Sequence, residues 1–120
     1  MRIAINGFGR IGRNVFKIAF EDSDIEIVAI NDLTNPKTLA HLLKYDSTYG
    51  IYNKSVEAKD DAIVIDGKEI RIYAERNPAN LPWKELNVDV AIESTGVFTN
   101  AEGPNGGYKD HIKAGAKKVL

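Results

Sequence analysis

Arg2-Ile-Ala-Ile-Asn-Gly-Phe-Gly-Arg-Ile-Gly-Arg13, read together with Ile25 to Asp32, is the stretch that decides the fold. Ile3-Ala4-Ile5 is a short apolar run that reads as a strand ending in Asn6. Gly7, Gly9 and Gly12 follow in the spacing G-x-G-x-x-G. They lead into an amphipathic stretch whose apolar face is read as Ile11, Val15, Ile18 and Ala19. Asp22-Ser23-Asp24 breaks that helix, Ile25 to Ile30 make a second buried strand, and Asp32 stands at its end. Strand, glycine turn, helix, strand and acid, in that order, form the arrangement that binds a dinucleotide.

The residue types follow from the task. Gly7 lets the backbone turn sharply out of the strand. At Gly9 a side chain would stand between backbone and pyrophosphate, and Gly12 lets the helix lie close to the strand. Amides at the helix start, at the positive end of its dipole, then face the phosphates. Asp32 offers an acceptor for two ribose hydroxyls, and its charge repels a 2′-phosphate, so the expected cofactor is NAD rather than NADP. Plainer alternatives stay open. Asp32 also suits an ordinary turn, Arg10 and Arg13 also suit a solvated helix surface, and FAD or S-adenosylmethionine sites use similar turns.

The chain as a whole is an ordinary globular one. Its 120 residues suffice for one domain with a core, and 43% hydrophobic with 28% charged residues is a typical balance. A net charge of −1 argues against a nucleic-acid partner. Without cysteine there is no disulfide, no thiolate metal site and no thiol nucleophile in this stretch, and no metal is expected. Met1 leads straight into the first strand and no apolar run is long enough for a membrane, so neither a signal peptide nor a membrane partner is expected. The cytoplasm is then the default location, and the sequon Asn53-Lys54-Ser55 is read as idle.

Further along, Asn35 and Pro36 look like the N-cap and first residue of a short helix with Leu39, Leu42 and Leu43 as its buried stripe. His41 lies off that stripe and reads as a surface residue. Ile63, Ile65, Ile70 and Ile72 alternate around Asp66-Gly67, the pattern of a tight antiparallel hairpin. It is expected beside the main sheet, covering an edge. Residues 75–83 form a loop with two prolines, and two readings of it balance. In one it is a capping segment with Trp83 packed inward. In the other the Arg76 guanidinium stacks on adenine. Val88 to Ile92 is another buried strand, and parallel strands deliver their C-terminal ends to the ligand crevice. Ser94, Thr95 and Gly96 are therefore expected near the cofactor, with Phe98 as an apolar wall.

Asn6 to Arg13, Asn31-Asp32-Leu33, Lys44-Tyr-Asp-Ser-Thr-Tyr-Gly50, residues 75–83, Glu93-Ser-Thr-Gly-Val-Phe98 and Ala114-Gly-Ala-Lys-Lys-Val119 come in one order. In that order the chain resembles the phosphorylating glyceraldehyde-3-phosphate dehydrogenases, bacterial type, over nearly its whole length. The resemblance implies an α/β, Rossmann-type doubly wound parallel sheet with a peripheral antiparallel hairpin, and NAD as hydride acceptor. It also implies a glycolytic homotetramer for the full enzyme, acting on a small phosphorylated aldehyde and phosphate. By the same resemblance Asn6, Gly7, Phe8, Gly9 and Gly12 shape the phosphate turn, and Arg10 and Ile11 meet the pyrophosphate. Asp32 meets the adenosine ribose and Arg76 the adenine, Leu33 in the site offers no positive partner to a 2′-phosphate, and Ser94, Thr95, Gly96 and Phe98 line the way to the nicotinamide.

Departures from the pattern are Asn77, where many relatives carry aspartate, and Glu102-Gly-Pro-Asn-Gly-Gly107, a flexible insertion before a short helix. That helix is expected from near Tyr108 to Gly115 with His111 on the surface. Residues 1–120 are thus expected to be the NAD(P)-binding domain of a longer enzyme. The family's nucleophilic cysteine and base histidine lie beyond Leu120, and this chain alone is expected to be inactive. Two other functions fit the same residues: an erythrose-4-phosphate dehydrogenase, and an NAD-sensing module without chemistry.

Overall fold

The computed structural model describes residues 1–45, 52, 54–95 and 109–120. Gly96, Phe98 and the stretches at 46–50 and 102–107 lie outside them. Among the described residues, one sheet contains β1 (Arg2–Asn6), β2 (Glu26–Asn31), β3 (Val56–Ala58), β4 (Ala62–Ile65), β5 (Lys68–Tyr73), β6 (Val90–Glu93) and β7 (Lys118–Val119). Its order is β3-β4-β5-β2-β1-β6-β7. The run β5-β2-β1-β6-β7 is parallel throughout. The chain fills it outward from β1, first to one side and then to the other. This is the doubly wound order, and it reverses between β1 and β6, where such sheets open a ligand crevice.

The hairpin is antiparallel and extends one edge of β2-β1-β6-β7, as expected, and it is joined to the sheet there. Asp66 and Gly67, at φ of 50° and 84°, turn β4 antiparallel into β5. In turn β5 pairs parallel with β2, from Ala29 opposite Arg71 to Asn31 opposite Tyr73. The hairpin is therefore built into the sheet, and only β3 and β4 lie outside its parallel part. Ile70 and Ile72 satisfy both roles, because alternation marks which side of a strand is buried and not which neighbour it pairs with.

Strand alternation, interrupted in β2 where its register with β1 shifts between Ile27 and Ala29, sorts side chains into two layers. Ile3 and Ile5 of β1, Ile27 and Ile30 of β2, Ile70 and Ile72 of β5 and Val90 of β6 join one apolar cluster. Phe16 and Ala19 of α1 (Arg10–Phe20) and Leu39 and Leu43 of α2 (Pro36–Tyr45) cover it. Ala4, Ala29 and Ala91 face the other way, toward Leu81, Trp83, Val88, Ala114 and Ala116. The second layer follows a 3-10 turn at Pro78–Asn80 and the single-turn helix α3 (Asp110–Lys113).

In α1 the buried face is Gly12, Arg13, Phe16 and Ala19. Ile11 and Ile18, read from sequence as part of that face, are 68% and 77% exposed. Gly12, Phe16 and Ala19 recur at helical spacing, and Gly12 allows the approach that turns this side inward. Arg13 is buried as well, and its Nη1 donates to the Phe8 carbonyl at 3.0 Å, so the solvated reading of this arginine is corrected. Asn35 caps α2 as expected, its Oδ1 accepting the Thr38 amide at 2.9 Å. His41 is exposed, as expected.

Candidate functional site

The C-terminal ends of β1, β2 and β6 come together at the point where the sheet reverses. Gly7 has φ +92°, a backbone state that side chains with a Cβ rarely adopt, and its amide donates to the Asn31 carbonyl at 2.8 Å. At Gly12 an added Cβ would run into the Gly7 carbonyl and come within 3.0 Å of Ser94 Oγ. The helix is thus seated against the turn and against the end of β6. Among the described residues, an added Cβ at Gly9 would meet no atom within 4 Å. Glycine there is not required by the packing of the described residues, which fits a backbone left bare for a ligand.

Among the described residues no side chain caps the start of α1 at Gly9, and its first turn contains no acidic residue. The amides of Arg10, Ile11 and Gly12 therefore begin the helix without a capping side chain, a fit for phosphate oxygens. Arg10 and Ile11 are exposed on that side.

Asp32 lies just beyond β2 and is half-buried. One carboxylate oxygen accepts the Phe8 amide at 2.7 Å and the other accepts the Thr34 amide at 2.9 Å. Asp32 thus orders its own turn and holds the glycine loop, and each oxygen keeps a lone pair for a further donor. The turn role and the acceptor role, alternatives in the sequence, are compatible in one geometry. Leu33 is exposed beside it. Ser94 closes the other flank: its amide donates to the Asn6 carbonyl at 2.9 Å, and its hydroxyl reaches the Gly7 carbonyl at 2.6 Å.

Behind the crevice lies a buried polar seam that patterning missed. Asn31, Asn6 and Glu93 sit opposite one another on β2, β1 and β6. Asn31 Nδ2 donates to Asn6 Oδ1 at 2.7 Å, and Asn6 Nδ2 donates to Glu93 Oε1 at 2.7 Å. His111 Nε2 is 2.8 Å from the same oxygen, and Trp83 Nε1 lies 2.9 Å from His111 Nδ1. Indole can only donate, so Nδ1 accepts, and Nε2 is the nitrogen that donates to Glu93. Thr95 completes the set, its hydroxyl donating to Glu93 Oε2 at 2.6 Å. Burial works to raise the Glu93 pKa, but hydrogen bonds from His111, Thr95 and Asn6 outweigh it. The carboxyl sits below the usual glutamate range.

His111, read from sequence as a surface residue, is 0% exposed. A single helical turn carries no apolar stripe by which inside can be told from outside. Its helix is also shorter than expected, Asp110–Lys113, with Tyr108 outside the described residues. The one available signal was a row of polar residues ending three apolar strands, Asn6, Asn31 and Glu93. Buried polar groups need partners, and such a row calls for a donor from elsewhere.

In the loop at 75–83 the inward packing expected of Trp83 is found. Trp83 is fully buried, edge-on to Tyr73, whereas Arg76 is exposed. The glycine turn, Asp32, Ser94 and Thr95 are brought together by the topology. Gly96 and Phe98 lie outside the described residues. Among the described residues no helix is long and apolar enough to cross a membrane.

Comparison with known proteins agrees with this geometry. The profile of the family described as glyceraldehyde 3-phosphate dehydrogenase, NAD binding domain, matches residues 1–101. A glyceraldehyde-3-phosphate dehydrogenase of Borreliella burgdorferi is 71% identical over 121 aligned positions, covering 100% of this chain and 36% of that protein. The enzyme of the same name from Mycoplasma pneumoniae is 54% identical, over 100% of this chain and 34% of its own length. That from Thermotoga maritima is 56% identical, over 99% and 35%. The chain spans about a third of the length of these relatives.

Proposed function

This chain belongs to the family of glyceraldehyde 3-phosphate dehydrogenase NAD binding domains, and from that premise we propose how its residues hold NAD. The pyrophosphate rests on the amides of the turn from Asn6 to Gly12, with Arg10 and Ile11 nearest. Asp32 accepts the adenosine ribose hydroxyls, Leu33 lies beside it, and Arg76 covers the adenine. Ser94, Thr95, Gly96 and Phe98 lead toward the nicotinamide. NAD, when bound, supplies the hydride acceptor. The chain's own part is to bind it, orient it and exclude NADP through the charge of Asp32.

The observation that carries this reading is the junction of Gly7, Gly12 and Ser94 at the β1/β6 reversal, with Asp32 bonded to the loop it encloses. For the whole protein we propose oxidation and phosphorylation of glyceraldehyde 3-phosphate, in the cytoplasm, by a homotetramer. Its acyl chemistry belongs to a cysteine outside these residues, since this chain has none.

Asp32→Ala tests the site. Calorimetric titration of NAD and NADP should show NAD affinity reduced by roughly 1.5–3 kcal/mol, the range for a hydrogen bond to a charged group. The preference for NAD over NADP should narrow with it. An unchanged NAD:NADP ratio would remove Asp32 from the ribose.

A further inference from the structure

The buried polar seam forms a loop that returns to its starting segment. Glu75 donates its amide to Asn31 Oδ1 at 2.9 Å and accepts from Asn31 Nδ2 at its carbonyl, also at 2.9 Å. From Asn31 the bonds run through Asn6, Glu93 and His111 to Trp83. Glu75 and Trp83 lie in the same loop, on either side of Arg76. One set of hydrogen bonds therefore pins that loop at two points and, through Glu93, also holds the Thr95 hydroxyl.

We infer that His111 is a positioning residue for the dinucleotide site. By bridging Trp83 to Glu93 it sets the Arg76 loop and Thr95 relative to one another. His111 touches no ligand in this scheme, because it is sealed behind the strands. It donates through Nε2 to the carboxylate that holds Thr95 and Asn6, and accepts through Nδ1 from the indole that closes the loop. Removing it leaves Glu93 short of a donor and Trp83 Nε1 short of an acceptor, both buried. The two crevice walls then lose their common fixed point while both apolar layers remain. This rests on the NAD reading above.

Trp83 is the sole tryptophan, so its indole N–H gives a single, self-assigned resonance in the ¹⁵N-labelled chain. On titration with NAD that resonance should shift, although Trp83 is fully buried. His111→Phe, which removes both hydrogen bonds of the bridge, should weaken NAD binding about tenfold. His111→Gln, which can still accept from indole and donate to Glu93, should recover most of the affinity. If the unmodified chain binds NAD while the indole resonance stays fixed, or if a folded His111→Phe binds NAD as tightly as the unmodified chain, the inference is overturned and the NAD reading stands. If His111→Phe does not fold, the indole titration of the unmodified chain decides alone. If the unmodified chain shows no NAD binding, both the inference and the NAD reading fall.

Discussion

On one face of the sheet, isoleucines from four strands meet Phe16, Leu39 and Leu43 in an apolar layer. On the other face the strands offer alanines, and the space is filled by Trp83 and by a chain of polar side chains from Asn31 to His111. The first layer is made of groups whose contacts are additive and non-directional, so it stabilises the domain without specifying a point in it. The second is made of groups that must each find a partner at a set distance and angle. It lies at the C-terminal ends of β2, β1 and β6, directly behind the candidate site. The difference teaches that this domain separates holding together from holding in place.

The largest expected effect lies on the apolar face. Phe16→Ala removes a fully buried ring packed between Phe8 and Phe20. It should cost about 3–5 kcal/mol in urea unfolding, a large part of the stability of a domain this size. A loss below about 1 kcal/mol would mean that the layer does not rely on tight packing.

The polar face should respond to acid instead. Glu93 has its folded pKa lowered despite burial, because His111, Thr95 and Asn6 favour the carboxylate. Its stabilisation is fully present above the unfolded glutamate value and is lost as the pH falls through the lower folded value. Glu93→Gln should flatten that part of the acid limb in thermal melts taken across the carboxylate range. An acid limb that keeps its shape in the variant would show that the seam does not rely on the charge.

The smallest effect should fall on Ile18. Although it lies two residues from Phe16, it points to solvent, so Ile18→Ala should change stability by no more than about 0.5 kcal/mol. Set beside Phe16→Ala in the same urea series, a loss above about 1.5 kcal/mol would put Ile18 back on the buried face.

Much of this was legible beforehand for a physical reason. Gly7, Gly12 and Asp32 act through local backbone geometry, and the order strand-turn-helix-strand limits where they can meet. The Asp66-Gly67 turn and the Asn35 cap are likewise local, each decided within four residues. The errors came where a residue's role depends on what lies across from it. Ile11 and Ile18 are apolar but point outward, Arg13 is charged but buried, and His111 is polar on a helix too short to show a pattern. The parallel pairing of β5 with β2 was hidden for the same reason, since a strand's own residues record its faces and not its neighbours.

Sequence by itself determined the class of fold, the glycine turn after β1, the acid at the end of β2 and the resemblance to a dehydrogenase family. Those features are written in backbone permissions and short spacings that hold wherever the chain lies. Only the tertiary structure decided that Asn31, Asn6, Glu93, His111 and Trp83 form one connected seam, because its members span residues 6 to 111. Buried hydrogen-bonding groups are satisfied by whichever partners the packed chain brings within about 3 Å, and no local pattern names a partner some 80 residues away.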